Sequence, residues 1–236
     1  MTARDPHTAP FRPHTAPPAG RDPEVTHVPV PEPTDTDASP AAHRPSPREI
    51  PAGADVLAAG PPPTPDLAAP FAARPAQPHG ADLATVHTWM HLPHVAPFYD
   101  QAWSRERWAE ELSAQLGGTF SRPLIVSRDG TDTAYVELYR AARDVIAPHC
   151  DARPHDVGFH IAIGDPGRTG RGLAAEILAA VAPAVFAADP HCRRILMDPD
   201  SGNAAACRAA RKAGLEFLAE AELPHKRAAL FARARE

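Results

Sequence analysis

Proline is spread unevenly along this chain, and that limits how much of it can build a core. Of 30 prolines in 236 residues, 20 lie within residues 1–80. The same stretch has few aromatics and no sustained apolar period, so ordering it would cost backbone entropy with little burial in return. Residues 1–80 are therefore expected to form a disordered proline-rich leader, with polyproline character around Pro61–Pro65. Residues 81–236 carry the periodic patterns and are numerous enough to bury one core, so a single folded domain is expected there.

The net charge is −5 at pH 7, and no basic stripe interrupts the average, which argues against a nucleic-acid surface. Cys150, Cys192 and Cys207 form no CxxC pair and read as free thiols of a reducing compartment. Prolines and charges interrupt every candidate secretory segment near Met1, and no apolar run reaches membrane-spanning length. A cytoplasmic protein that does not engage a membrane is expected.

Within residues 81–236 the pattern is mixed. The segment from His87, with Trp89, Pro93 and Pro97, suits a turn or short helix better than a long one. Ser104 is a candidate N-cap for a helix whose apolar face is Trp108, Leu112 and Leu116, ended by Gly117–Gly118. Leu124–Val126, the turn Asp129–Gly130 and Thr133–Tyr139 read as a hairpin; Tyr135, Glu137 and Tyr139 share one face of its second strand. Asp156–Gly164 is a further strand, with His160 and Ala162 opposite Val157, Phe159, Ile161 and Ile163. A helix from Gly172 to about Phe186, a strand over Cys192–Asp200, a short helix closed by Gly214 and two strands flanking Pro224–His225 complete an α/β domain.

The junction GDPGRTGRGLAAEILAAV, Gly164–Val181, joins strand to helix through three glycines. Unpaired N–H groups at a helix start and the helix dipole favour an anion, and Gly170 and Gly172 let a phosphate approach the backbone. Arg168 and Arg171 add positive charge. The junction lacks the GxxxxGK[ST] of a nucleotide P-loop, and its glycine order is not that of a Rossmann fingerprint. Taken alone, it reads equally as a plain glycine-rich connector.

Four blocks carry a more specific signal: HTWMHLPHVAPFY, GFHIAIGDPGRTGRGLA, LMDPDSGNAAACRAARKAGLEFLAE and ELPHKRAALF. In this order they resemble the siderophore-biosynthesis branch of the GCN5-related N-acetyltransferases, over about Thr85–Arg235. The resemblance implies that superfamily's fold, a mixed, mostly antiparallel sheet flanked by helices. It implies acyl transfer from acyl-coenzyme A, acetyl or succinyl, to the side-chain amine or hydroxylamine of a lysine- or diamine-derived substrate, with other siderophore-pathway enzymes as partners. The coenzyme's diphosphate would rest on Arg168, Thr169, Gly170, Arg171 and Gly172, with Asn203 near the coenzyme arm. The superfamily motif has Gln or Arg where this chain has Gly167, and Arg168 stands beside it. His160 and Asp198 fall on the branch's catalytic pair; His87, Trp89 and His91 fall on its substrate-facing motif; Pro224, His225 and Lys226 match its PHK signature at the acceptor pocket.

The chemistry suits these residues. A primary amine must lose a proton before it attacks a thioester, and histidine titrates in the right range to take it. Asp198 can orient His160 or hold the acceptor; Asp200 suits the role of a turn cap. A structural histidine at 160 and a core-edge role for Trp89 are the plainer alternatives. His87, His91 and His94 invite a metal reading, but Pro93 disturbs a helix there and no Glu completes the motif, so no metal is expected. A succinyl donor calls for a cation, for which Arg140, Arg143 and Arg194 are available. Two alternatives stay open: an acetyltransferase for an unrelated small amine, and a non-catalytic module that binds acyl-coenzyme A or a partner.

Overall fold

The computed structural model describes residues 48–236. Its strands are β1 (Phe71–Pro75), β2 (Ser121–Arg128), β3 (Thr131–Arg140), β4 (Val157–Ile163), β5 (Arg194–Met197), β6 (Glu216–Leu223) and β7 (Lys226–Ala234). They form one sheet in the order β1-β2-β3-β4-β5-β7-β6. Every neighbouring pair is antiparallel except β4 with β5, which is the mixed, mostly antiparallel sheet expected. The helices are α1 (Ala54–Ala58), α2 (Gly80–Met90), α3 (Ala96–Tyr99), α4 (Arg105–Gly117), α5 (Ala147–Cys150), α6 (Leu173–Ala188) and α7 (Ala204–Lys212).

Period-two alternation divides the side chains between two faces. Leu124, Val126, Val136, Leu138, Val157 and Phe159 join Ile177, Val181 and Val185 of α6 in one core. Ile125, Tyr135 and Ala162 join Leu83 and Val86 of α2 and Trp108 and Leu112 of α4 in a second. A third cluster, with Tyr139, Leu196, Leu223 and Leu230, lies under the β6–β7 end.

Local signals set most boundaries. Ser104 caps α4 by accepting the Arg107 N–H at 3.3 Å. Asp129 and Gly130 turn the β2–β3 hairpin with φ of 50° and 76°, as a two-residue hairpin turn requires. Gly214, at φ 82°, ends α7.

Two expectations change. The segment around His87 and Trp89 belongs to a regular helix, α2, which runs from Gly80 and buries Leu83, Val86, Trp89 and Met90. Pro93 lies beyond the C-cap at His91, so it does not interrupt that helix. The expected leader also divides: residues 1–47 lie outside the described residues, whereas residues 48–80 carry α1 and β1. β1 pairs with β2 at the sheet edge, where Pro75 needs no N–H partner on its free side. The buried Arg140 guanidinium holds the proline run, donating to the carbonyls of Gly60 at 2.9 Å and Pro61 at 2.8 Å.

The feature that positions a site is the β4–β5 pair. Its ladder has two rungs, Val157 with Ile195 and Gly158 with Leu196, and then the strands part. β4 continues to Ile163 paired with β3, while β5 ends at Met197 before Asp198 and Pro199. His160 and Asp198 each lie two residues past the last rung, so they face each other at the mouth of the gap.

Candidate active site

His160 is placed by β4 and sits directly across the ladder from Glu137 on β3. Its Nε2 lies 3.0 Å from Asp198 Oδ1. That oxygen also accepts the Tyr139 hydroxyl at 2.6 Å, and Oδ2 is paired with Lys226 Nζ at 2.9 Å. On the other side of the ring, His160 Nδ1 lies 3.2 Å from Glu137 Oε2 and 3.1 Å from Arg48 Nη1. Arg48 Nη2 donates to both Glu137 oxygens at 2.7 Å, and Nη1 reaches Asp144 at 3.2 Å. Tyr139 stacks on His160 with ring centroids 4.7 Å apart, and Tyr99 meets it edge-on at 6.2 Å. The Tyr99 hydroxyl is buried and has no hydrogen-bond partner among the described residues.

Gly158 makes this stacking possible. A Cβ built there would lie 2.0 Å from Tyr139 Cζ, so the ring occupies the space a side chain would need. The aromatic ring thereby reaches across the last rung of the β4–β5 ladder to Asp198.

Burial and opposed charges set the protonation of the cluster. Burial would raise the Glu137 carboxyl, but Arg48 and His160 outweigh it and hold it at about 2. Burial likewise opposes ionisation of Asp198, yet Lys226 and His160 hold it well below the usual carboxylate range. Burial lifts Asp144 to about 6 against the pull of Arg48. For His160, burial and the Arg48 cation disfavour protonation, and Asp198 and Glu137 prevail, leaving it above the ordinary histidine value. The site holds a histidine that takes up a proton readily, beside two carboxylates, Glu137 and Asp198, that stay ionised.

The glycine junction lies past the end of β4. Pro166–Arg168 form a single 3₁₀ turn, and Gly170 and Gly172 follow with φ of 71° and 93°. Such angles strain any residue with a Cβ. Gly172 starts α6 without a side-chain cap, so the N–H groups of the first turn remain open to an anion. A cavity of about 410 Å³ adjoins this turn, lined by Arg128, Asp165, Gly167, Arg168, Arg171, Leu173 and Glu176. Lys212 of α7 brings another cation close: a Cβ on Gly172 would meet its Nζ at 2.8 Å.

The family model described as the acetyltransferase (GNAT) domain matches residues 79–223. The chain belongs to the GNAT acetyltransferase family. Among its relatives, the lysine N-acyltransferase MbtK of Mycobacterium sp. (strain MCS) is 47% identical over 79% of this chain and 76% of the relative. The N(6)-hydroxylysine O-acetyltransferase of Escherichia coli is 30% identical over 62% of this chain and 47% of that protein. Among solved structures, the aminoglycoside acetyltransferase AAC(6')-Ib in complex with coenzyme A superposes with a TM-score of 0.62 at 22% identity. That match covers 70% of this chain and 95% of the other, and it shows a shared fold.

In this GNAT protein the remaining expected site residues take varied places. Trp89 is 9% exposed, within the α2–α4 core, and its indole fills the space left by Gly164 at the start of the junction. His91 lies at the C-cap of α2 with its Nδ1 2.8 Å from the His87 carbonyl, and the two rings are 4.4 Å apart. Asn203 caps α7 through the Ala206 N–H at 3.1 Å, and Asp200 accepts from Gly202 at 2.7 Å as a turn cap should. The exposed His225 occupies the β6–β7 turn, and of the PHK signature it is Lys226 that enters the cluster. Arg140, Arg143 and Arg194 all have partners: Asp189, Glu49 with Thr119, and Asp156 respectively. His94 bonds the Ile163 carbonyl at 2.8 Å.

The sequence reading has Glu137 only as a strand-face residue, Lys226 only as part of the PHK signature, and Arg48 not at all. The first two had a usable signal. Glu137 is an acid between Tyr135 and Tyr139 on the face of His160, and Lys226 alternates in phase with the buried Ala228 and Leu230. Arg48 had none, because its neighbours carry no period.

Proposed function

We propose that this protein moves an acyl group from acyl-coenzyme A to the side-chain amine or hydroxylamine of a lysine- or diamine-derived substrate, in the biosynthesis of a hydroxamate siderophore. The observation that carries the reading is the meeting of His160 and Asp198 at the mouth of the β4–β5 gap, with Gly170 and Gly172 at the helix start beyond β4. In this reading the N–H groups of the first turn of α6, with Arg168 and Arg171, hold the coenzyme's diphosphate. His160 accepts the proton that the attacking nitrogen must shed, and the ionised Asp198 stabilises the resulting imidazolium. The identity to MbtK supports lysine as acceptor, and the likeness to the hydroxylysine enzyme supports a hydroxylamine.

Transfer is direct. The three cysteines are buried, and burial raises their thiols, Cys150 to about 11 and Cys192 to about 12, so none is poised to form an acyl-enzyme. Among the described residues no helix is long and apolar enough to cross a membrane, and no cluster of His, Cys, Asp and Glu is arranged to hold a metal ion. The free thiols support a reducing compartment, the cytoplasm in this reading.

The test is an acceptor panel. Lysine, N6-hydroxylysine, cadaverine, its N-hydroxy derivative and an aminoglycoside are each incubated with acetyl-, succinyl- and long-chain acyl-coenzyme A. Thiol release and product mass are followed. Acylated lysine or a hydroxamate is expected. Turnover confined to the aminoglycoside would overturn the acceptor class, and coenzyme binding without any turnover would overturn the reaction.

A further inference from the structure

The far side of His160 holds a second pair of charged groups, Arg48 and Glu137, whose role rests on the reading of His160 as the base. The ionised Asp198 can only accept, and it meets Tyr139 and His160 Nε2 on one oxygen and Lys226 on the other. Nε2 must therefore carry a hydrogen, and the neutral ring has its lone pair at Nδ1. A guanidinium can only donate and a carboxylate can only accept. Arg48 Nη1 at 3.1 Å thus suits a bare Nδ1, and Glu137 Oε2 at 3.2 Å suits a protonated one. One nitrogen cannot satisfy both at once, but it satisfies each in turn as the proton arrives and leaves.

We propose that Arg48, carried by the segment before β1, is a positioning residue of the active site: with Glu137 it forms a two-state socket in which Nδ1 of His160 receives the proton. Main-chain bonds fix the arginine in place. The Arg48 carbonyl accepts from Val145 N–H at 2.9 Å, and Ile50 N–H donates to Arg143 O at 2.8 Å. Glu49 bridges to Asp144 and is paired with Arg143. The guanidinium lies 5.2 Å from the Tyr139 ring centroid and 5.9 Å from that of Phe120, and its side chain is 12% exposed. The segment that looked like a leader thus completes the catalytic environment from 112 positions away.

Among the described residues, the groups facing His160 are Glu137 and Tyr139 on β3, Tyr99 on α3, Asp198 after β5, Lys226 on β7, His225 in the β6–β7 turn and Arg48, with Asp144 behind it. Of these, Arg48 and Glu137 act on Nδ1 with opposite sign. An ion pair out of reach of the ring would affect stability alone; this one touches Nδ1 and also sets where His160 titrates.

The test measures kcat/KM against pH with the full chain, acetyl-coenzyme A and lysine. A base must be neutral to act, so activity rises with pH through the titration of His160. Arg48→Met removes a cation and leaves Glu137 with only His160 and Gln115, and is expected to move the acid limb up by about one pH unit or more. Glu137→Gln is expected to move it down, and Arg48→Lys to leave it near the wild-type position. Guanidinium ion added to Arg48→Met should bring the limb back. Arg48→Met and Glu137→Gln limbs that stay put, or move in the same direction, would overturn the proposal. Nitrogen-15 spectra of the wild-type histidines read the socket without any variant or turnover. A neutral His160 with hydrogen on Nε2 supports it, and hydrogen on Nδ1 overturns it. Wild-type protein with that tautomer but no transfer to any amine would overturn the acyltransferase reading and leave the socket standing.

Discussion

Replacing Gly158 by alanine is ordinarily a mild change in a strand, favourable by about 0.5–1 kcal/mol because alanine loses less backbone freedom on folding. Here the opposite sign is expected. The added Cβ would lie 2.0, 2.2 and 2.6 Å from three atoms of the Tyr139 ring, against about 3.5–4 Å for carbons in contact. The ring has no room to retreat: it is fully buried, with His160 at 4.7 Å and Phe120 at 6.1 Å between centroids. Overpacking of this kind costs about 1–3 kcal/mol. Displacing the ring also breaks the 2.6 Å bond to the ionised Asp198, a further loss of about 1.5–3 kcal/mol. After the alanine gain is subtracted, the net loss is about 2–5 kcal/mol, which for a domain of this size lowers Tm by roughly 5–20 °C. Calorimetry on the wild type and Gly158→Ala measures this directly. The clash needs the ring, so on a Tyr139→Ala background the same alanine should cost nothing and partly fill the void, a coupling of about 2 kcal/mol or more. An unchanged or higher Tm in the single variant, or simple additivity in the double, would refute the argument that Tyr139 lies over this glycine.

Three further outcomes follow from the same geometry. Lys226→Met strips one of the donors from the buried Asp198, and because Tyr139 and His160 remain, the loss should be about 2–3 kcal/mol by denaturant unfolding; unchanged stability would contradict the pair. The Glu137 carboxyl, held at about 2 against an ordinary 4.5, contributes about 3 kcal/mol that is fully present above its unfolded value and is lost as pH falls from about 5 towards 2. Unfolding free energies at pH 5 and pH 3 should therefore fall less steeply in Glu137→Gln, and equal slopes would contradict this. Gly172→Val places a β-branched residue at φ 93° and a Cβ against Lys212; the KM for acyl-coenzyme A should rise about tenfold or more while the acceptor KM holds, and an unmoved donor KM would take the diphosphate away from that turn.

Much of the fold was legible because it rests on local chemistry. The Asp129–Gly130 turn, the Ser104 cap, the alternation along β4 and the glycines before α6 each act within a few residues of the element they define. The places of His160 on a strand face and Asp198 at a strand end were legible in the same way, while their reading as a pair came from the family resemblance. What escaped was set by distant packing. β1 is five residues ending in Pro75, too short for a period and tolerated only because it lies at an edge. Arg48 enters the site through a two-residue bridge and a side chain that satisfies Glu137 and Asp144, neither of which its own neighbours announce. The PHK turn drew attention to His225, whereas strand phase with Ala228 and Leu230 directs Lys226 inward, where β7 begins opposite Leu223.

The central claim is that His160 takes a proton from the acceptor nitrogen while Asp198 steadies it. Single-turnover transfer from acetyl-coenzyme A to saturating lysine, compared between the wild type and His160→Ala with coenzyme affinity measured alongside, tests it most directly. A fall of about 100-fold or more in the transfer step with coenzyme affinity unchanged is the predicted result. Transfer at the wild-type rate in the alanine variant would contradict the account.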